Sequence, residues 1–109
     1  MEFDIANNIK AVELLKVEML QNITDLFGDI AAEADEETGK RIAQDGARLI
    51  CQTYLLCSRL GVEFSDIDDY MKQLLAEGIK EEHLIERRFG DLKKLLHGLE
   101  TRRCKYEKE

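Results

Sequence analysis

Three polar side chains in the middle of the chain have the types and the spacing that chemistry requires. Asp45, Arg48 and Gln52 follow one another at i, i+3 and i+7, so a helix would carry them on one face. They lie within Ile42–Leu60, where the only other charged residue is Arg59, although 36% of the protein is charged. An acid and a base in so apolar a stretch must be paired or must take part in a reaction.

The stretch that carries these residues predicts a helix that is apolar on nearly every side. Such a helix must be surrounded by other helices, in the centre of the fold or of an oligomer. A chain of 109 residues suggests one domain, here residues 1–109, small enough that self-association would add stability. We therefore expect a homodimer or a higher homo-oligomer, with Ile42–Leu60 buried at or near the interface.

Composition excludes several classes of partner. The formal net charge of -7 argues against nonspecific binding to nucleic acid or to anionic membranes. No apolar run is long and uncharged enough to span a bilayer, and the N-terminus lacks the pattern of a secretion signal. Cys51, Cys57 and Cys104 are odd in number and form no CxxC pair, which is typical of reduced thiols. We expect a cytoplasmic protein with no membrane and no nucleic-acid partner.

The pattern of apolar residues predicts an all-α fold. Proline is absent, and apolar residues recur at steps of three or four, the period of a helix face. We expect a bundle of four to five helices, with a core hairpin of two long helices followed by shorter C-terminal ones. The predicted helices are residues 4–32, 40–60, 65–77, 80–88 and a last one from residue 91.

Capping residues set these boundaries. Gly39 is expected to break the chain before the second helix and Gly61 to end that helix. Ser65, with an acid three residues later, is the predicted N-cap of the third helix, and Gly78 is its predicted end.

Several short motifs together resemble a known family. The central helix ends in YLLCSRLGV, a capped helix begins near FSDID, and Phe89-Gly90-Asp91-Leu92 follows later. A long first helix with acids and an acidic loop precede them. This combination is similar to the MazG-like group of the all-alpha nucleoside triphosphate pyrophosphatase superfamily, and especially to its shorter, divergent branch. The resemblance covers roughly residues 5–99 and implies the same all-α, MazG-like fold.

The resemblance implies a metal site that this chain has largely lost. Active members carry Glu-Glu-x-x-Glu on the first helix and Glu-x-x-Asp on the second, which together hold Mg²⁺ over the triphosphate. Counting back from the RLG turn places Asp45 at the second-helix Glu and Arg48 at its Asp. The first-helix register that fits best places Val17, Glu18 and Gln21 over the motif, so that Glu18 alone is acidic there.

A second register of the first helix stays open. A shift along that helix makes Asn22, Asp25 and Asp29 the candidate ligands. With Glu18 and Gln21 they form a polar stripe at helical spacing, which an ordinary solvent-facing surface would also explain.

The leading hypothesis from the sequence is a catalytically impaired relative of the pyrophosphohydrolases, acting through nucleotide or protein binding and needing no cofactor. We expect Arg48 to pair with Glu18 or Asp45 in the former metal site, because a guanidinium cannot become a metal ligand. Arg48 and Gln52 are then the candidate nucleotide contacts.

Two alternatives remain. In an active enzyme, Mg²⁺ held by Glu18, Asp45 and Asp25 would support cleavage of a nucleoside triphosphate to the monophosphate and pyrophosphate. A helical adaptor or regulator would bind no small ligand.

Overall fold

The computed structural model describes residues 5–107, and side chains from residue 5 to residue 102. Within that range it contains five helices and no strand, which confirms the all-α prediction. The helices are α1 (Ile5–Ala31), α2 (Thr38–Arg59), α3 (Phe64–Lys80), α4 (Leu84–Phe89) and α5 (Asp91–Glu107). The predicted start of the first helix at Asp4 lies outside the described residues.

The chain divides into two compact units, Met1–Glu63 and Phe64–Glu109. In the first unit, α1 and α2 pack along each other as an antiparallel hairpin, and we call their line of contact the α1–α2 seam. The connecting turn is held by Asp35. Its backbone N–H donates to Thr38 Oγ1 at 2.8 Å, and its carboxylate accepts from the backbone N–H of Glu37 at 2.8 Å. Such side-chain bonds to nearby backbone stabilise turns and helix starts.

In the second unit, α5 packs against α3 and α4. The approach to α3 is close at Gly78, where an added Cβ would lie 2.7 Å from Leu92 Cδ1. Gly90 ends α4 with φ of 70°, a left-handed conformation that glycine adopts without strain. Glu86 Oε2 then accepts the backbone N–H of Lys93 at 3.2 Å in the first turn of α5.

Several predicted boundaries were wrong. Thr38 begins α2, so Gly39 lies inside the helix, because the Asp35–Thr38 turn starts it earlier. Phe64 begins α3, so Ser65 lies in the first turn and is no N-cap. Gly78 does not end α3, which continues to Lys80. The close contact with Leu92 explains a glycine inside this helix. The short fourth helix begins at Leu84 and not at residue 80.

The apolar residues of α2, which the sequence predicts in the centre of the fold or of an oligomer, are not buried within the described part of the chain. The buried residues of α2 are Asp45 and Gln52, and Asn22 is their buried counterpart on α1. No apolar side chain of the described residues is buried, and Ile50 and Leu55 on α2 are both more than half exposed. A hairpin covers only the facing sides of its two helices, so the other apolar sides of α2 remain open. Burial in an oligomer stays a prediction.

Candidate functional site

Polar side chains face one another across the α1–α2 seam. Asn22 Nδ2 donates to Gln52 Oε1 at 2.6 Å, and both residues are buried. Two turns further along α1, the carboxyl of Asp29 faces the carboxyl of Asp45, close enough to raise the pKa of Asp45. Because the helices are antiparallel, the step from residue 22 to 29 on α1 matches the step from 52 to 45 on α2. These two contacts therefore fix the register of the hairpin.

The Asp29–Asp45 contact perturbs the acidity of Asp45. The pKa of the Asp45 carboxyl is raised above its ordinary value, chiefly by the hydrogen bond to Asp29, then by burial and by the negative charge of Asp29. The charge of Asp25 adds to this rise, whereas Arg48 opposes it. The protonated form of Asp45 is therefore favoured more than in an ordinary aspartate. Asp45 Oδ2 is buried and has no hydrogen-bond partner.

Two arginines lie beside the acidic pair. Arg48 Nη1 is 3.7 Å from Asp45 Oδ1, with 54% of the Arg48 side chain exposed. Arg41 Nε is 3.6 Å from Asp29 Oδ1, and Arg41 Nη2 is 3.3 Å from Asp35 Oδ1. The pKa of Asp35 is lowered, first by the hydrogen bond from the backbone of Glu37 and also by Arg41. Each carboxyl of the facing pair thus has a guanidinium within ion-pair distance.

The structure separates the predicted site residues into a cluster and an outlier. Asp45 and Arg48 lie together with Asp29, and Asp25 is close enough to influence the pKa of Asp45. Gln52 lies two turns further along α2, bonded to Asn22. Glu18 is half-buried on the seam, but it precedes Asp29 by eleven residues of α1, about 16 Å along the helix axis.

Sequence reasoning did not single out Arg41. Its signal was present, because Arg41 stands four residues before Asp45 and residues four apart share a helix face. Of the two registers considered for the first helix, only the shifted one, with Asn22, Asp25 and Asp29 as candidate ligands, named Asp29.

The side chains of this cluster do not fit a resident Mg²⁺ ion. Mg²⁺ requires near-octahedral oxygen coordination. Within the described residues no group of three or more histidine, cysteine, aspartate or glutamate side chains is arranged to hold a metal. The facing carboxyls of Asp29 and Asp45 already have Arg41 and Arg48 as neighbours. The guanidinium groups of these two arginines thus lie where a metal ion would have to approach the carboxyl oxygens.

The fold and the seam define a class: small all-α proteins in which acidic side chains of two long antiparallel helices face each other. The model of the MazG-like family matches residues 5–92, so the chain belongs to the MazG-like family and is related to the nucleoside triphosphate pyrophosphohydrolases. Neither the curated proteins nor the solved structures gave a match. None of the helices within residues 5–107 has the length and apolar character needed to cross a membrane.

Proposed function

We propose that this MazG-like protein is catalytically impaired and acts by binding a nucleotide or a protein rather than by turning over a nucleoside triphosphate. The observation that carries the proposal is the composition of the Asp29–Asp45 cluster. Two carboxylates meet there, and Arg41 and Arg48 stand within 3.6 Å and 3.7 Å of them. At the position of the family's last second-helix acid, Arg48 supplies a permanent positive charge in place of a metal ligand.

Arg48 and Gln52 are the proposed substrate-binding residues, with Arg48 as the direct contact. A guanidinium carries five N–H donors, and only one nitrogen of Arg48 lies near Asp45. More than half of the side chain is exposed, so its remaining donors can reach a phosphate, which guanidinium groups bind well. Gln52 is bonded to Asn22, so its part would be to hold the seam beneath the ligand. We place this function in the cytoplasm and in a homo-oligomer.

A second candidate function rests on the contact of Asp29 with Asp45. Mg²⁺ is commonly held by one or two carboxylates together with substrate phosphates, so an ion could enter with a triphosphate even though the protein alone does not form its site. Asp45 Oδ2, buried and without a hydrogen-bond partner, favours this alternative. In that case Asp45, with Asp25 and Glu18 as the further predicted ligands, would serve an active pyrophosphohydrolase. The third candidate, an adaptor without a small ligand, has no such observation.

Calorimetric titration of nucleoside triphosphates, with and without Mg²⁺, tests the proposed nucleotide contact. We expect the wild type to bind and Arg48→Ala to bind about 10- to 100-fold more weakly, because a hydrogen bond to a charged group contributes about 1.5–3 kcal/mol. Arg59→Ala is the matched control, since Arg59 is a second exposed arginine on α2, and it should bind as the wild type does. Equal loss in both variants would contradict a specific role for Arg48. No binding by the wild type would favour the adaptor.

A further inference from the structure

The junction of α4 and α5 carries a group of positive charges. The helix α4 is six residues long, about 9 Å along its axis, and Gly90 leads from it directly into α5. The side chains of both elements therefore project from one corner of the second unit, residues 84–94, which we call the α4 corner. Its basic residues are Arg87, Arg88, Lys93 and Lys94, and all four are exposed.

The positive charge of the α4 corner is not compensated nearby. None of its four cations makes an ion pair with a side chain of residues 5–102. Glu86 is turned towards α5, because its Oε2 accepts the backbone N–H of Lys93 at 3.2 Å and its Oε1 is buried. Asp91 is the other acid of the corner. Four bases against two acids give a local formal charge of +2, in a chain whose net charge is -7.

Apolar side chains stand among these cations. Leu84 is 53% exposed, Ile85 39% and Phe89 61%, although the helix that carries them has only six residues. Exposed apolar groups with a polar rim mark surfaces that bind other molecules, and aromatic residues and arginine are enriched where proteins bind each other. The α4 corner therefore has the composition of an interaction surface for an anionic partner.

We propose that the α4 corner binds an acidic segment of another protein, in which aspartates or glutamates flank bulky apolar side chains. Arg87 and Arg88 would pair with the carboxylates of that segment, which a guanidinium binds through two parallel hydrogen bonds. Phe89 would be covered by its apolar side chains. The proposal concerns the second unit and does not depend on nucleotide binding at Arg48.

The chemistry of the corner favours a protein over other anions. Nucleic acid is contacted mainly through its phosphates and sugars, which offer no cover for Leu84 and Ile85. An extended anionic lipid surface would be repelled by the net charge of the chain and by the acids in the first turns of α3, Asp66, Asp68 and Asp69. A protein segment presents its negative charge locally, and charges beyond the screening length of about 8 Å affect it little.

Fluorescence anisotropy of a labelled synthetic peptide of repeated Asp-Glu-Phe-Leu units, titrated with the full chain, tests the proposal. We expect saturable binding that weakens as salt is added. The double variant Arg87→Glu/Arg88→Glu should weaken binding about 10-fold or more, because attraction becomes repulsion. Phe89→Ser should weaken it to a similar extent, about 10-fold, because it removes the apolar anchor.

Two variants outside the corner serve as controls. Lys40→Glu/Arg59→Glu makes the same change of charge at two exposed cations of α2. Leu74→Ser removes an apolar side chain of α3 that is 67% exposed. Both should bind the peptide as the wild type does.

Four results would overturn the proposal. The first is a wild type that does not bind the peptide, and the second is equal weakening in the test and control variants. The third is tighter binding of phosphatidylglycerol vesicles or duplex DNA than of the peptide, with the same dependence on Arg87, Arg88 and Phe89, which would assign the corner to that ligand. The last is a loss of thermal stability in Phe89→Ser but not in Leu74→Ser, which would show that the chain itself covers the corner.

Discussion

At the scale of single residues, the most unusual feature of the protein is a buried aspartate, Asp45, whose carboxyl faces a second carboxyl. Asp45 is buried beside Asp29, and its pKa is raised by that contact. Arg48 reduces the effect but does not abolish it. Folding therefore works against ionisation of Asp45.

The raised pKa of Asp45 predicts a specific dependence of stability on pH. Above the ordinary aspartate pKa of about 3.9, the folded chain holds a proton that the unfolded chain releases. The free energy of unfolding must then fall as pH rises from about 4 through the raised pKa. We expect Asp45→Asn to remove this fall and to raise the melting temperature at pH 7, because an amide donates to Asp29 without a charge. Thermal melts across this pH range measure both effects.

Asp25→Asn is the control for this prediction. It removes the same charge from an exposed position that influences the pKa of Asp45 least among the causes. Asp25→Asn should also raise the melting temperature at pH 7 and weaken the fall of stability with pH, but by less than Asp45→Asn does. An Asp45→Asn protein with the melting temperature and pH dependence of the wild type would contradict the raised pKa of Asp45.

At the scale of the helices, the most deeply buried side chains of the hairpin are polar. Asn22 and Gln52 are buried and bonded to each other at 2.6 Å. A buried polar pair specifies one register, because any slip of the helices leaves its donors and acceptors unpaired. The pair thereby also keeps Asp29 opposite Asp45.

A double-mutant cycle tests this pairing. We expect Asn22→Leu alone to lower the free energy of unfolding by about 1–3 kcal/mol, because it leaves the Gln52 amide buried without a partner. The double variant Asn22→Leu/Gln52→Leu should recover most of the loss, since it leaves no unsatisfied group. Urea unfolding of the four proteins gives the coupling energy, which should be about 0.5–3 kcal/mol. Additive losses would mean that the two amides do not depend on each other.

The helices also show what the sequence could and could not predict. The all-α class and the long hairpin followed from apolar periodicity, and the family followed from the RLG turn and the FGDL motif; both are confirmed. The residues of α1 that lie opposite α2 could not be predicted from apolar periodicity or from these motifs. A shift of one residue turns a helix by about 100°, and only packing decides which acid faces Asp45. The best-fitting register pointed to Glu18, whereas the structure sets Asp29 there.

At the scale of the whole molecule, the most buried positions of the hairpin are polar, and several of its large apolar side chains are exposed. The buried residues Asn22, Asp45 and Gln52 line the seam, while large apolar side chains such as Leu20 and Phe27 are exposed. The proposed nucleotide contact lies at the seam, whereas the exposed apolar side chains lie away from it.

The most direct test of impaired catalysis is pyrophosphate release from a panel of nucleoside triphosphates with Mg²⁺, measured for the wild type beside Asp45→Asn and Asp29→Asn. We predict that the wild type releases no more pyrophosphate than either variant, because Arg41 and Arg48 stand beside the facing carboxyls of Asp29 and Asp45. Mg²⁺-dependent release by the wild type that both substitutions abolish would contradict it and identify the Asp29–Asp45 pair as an active site.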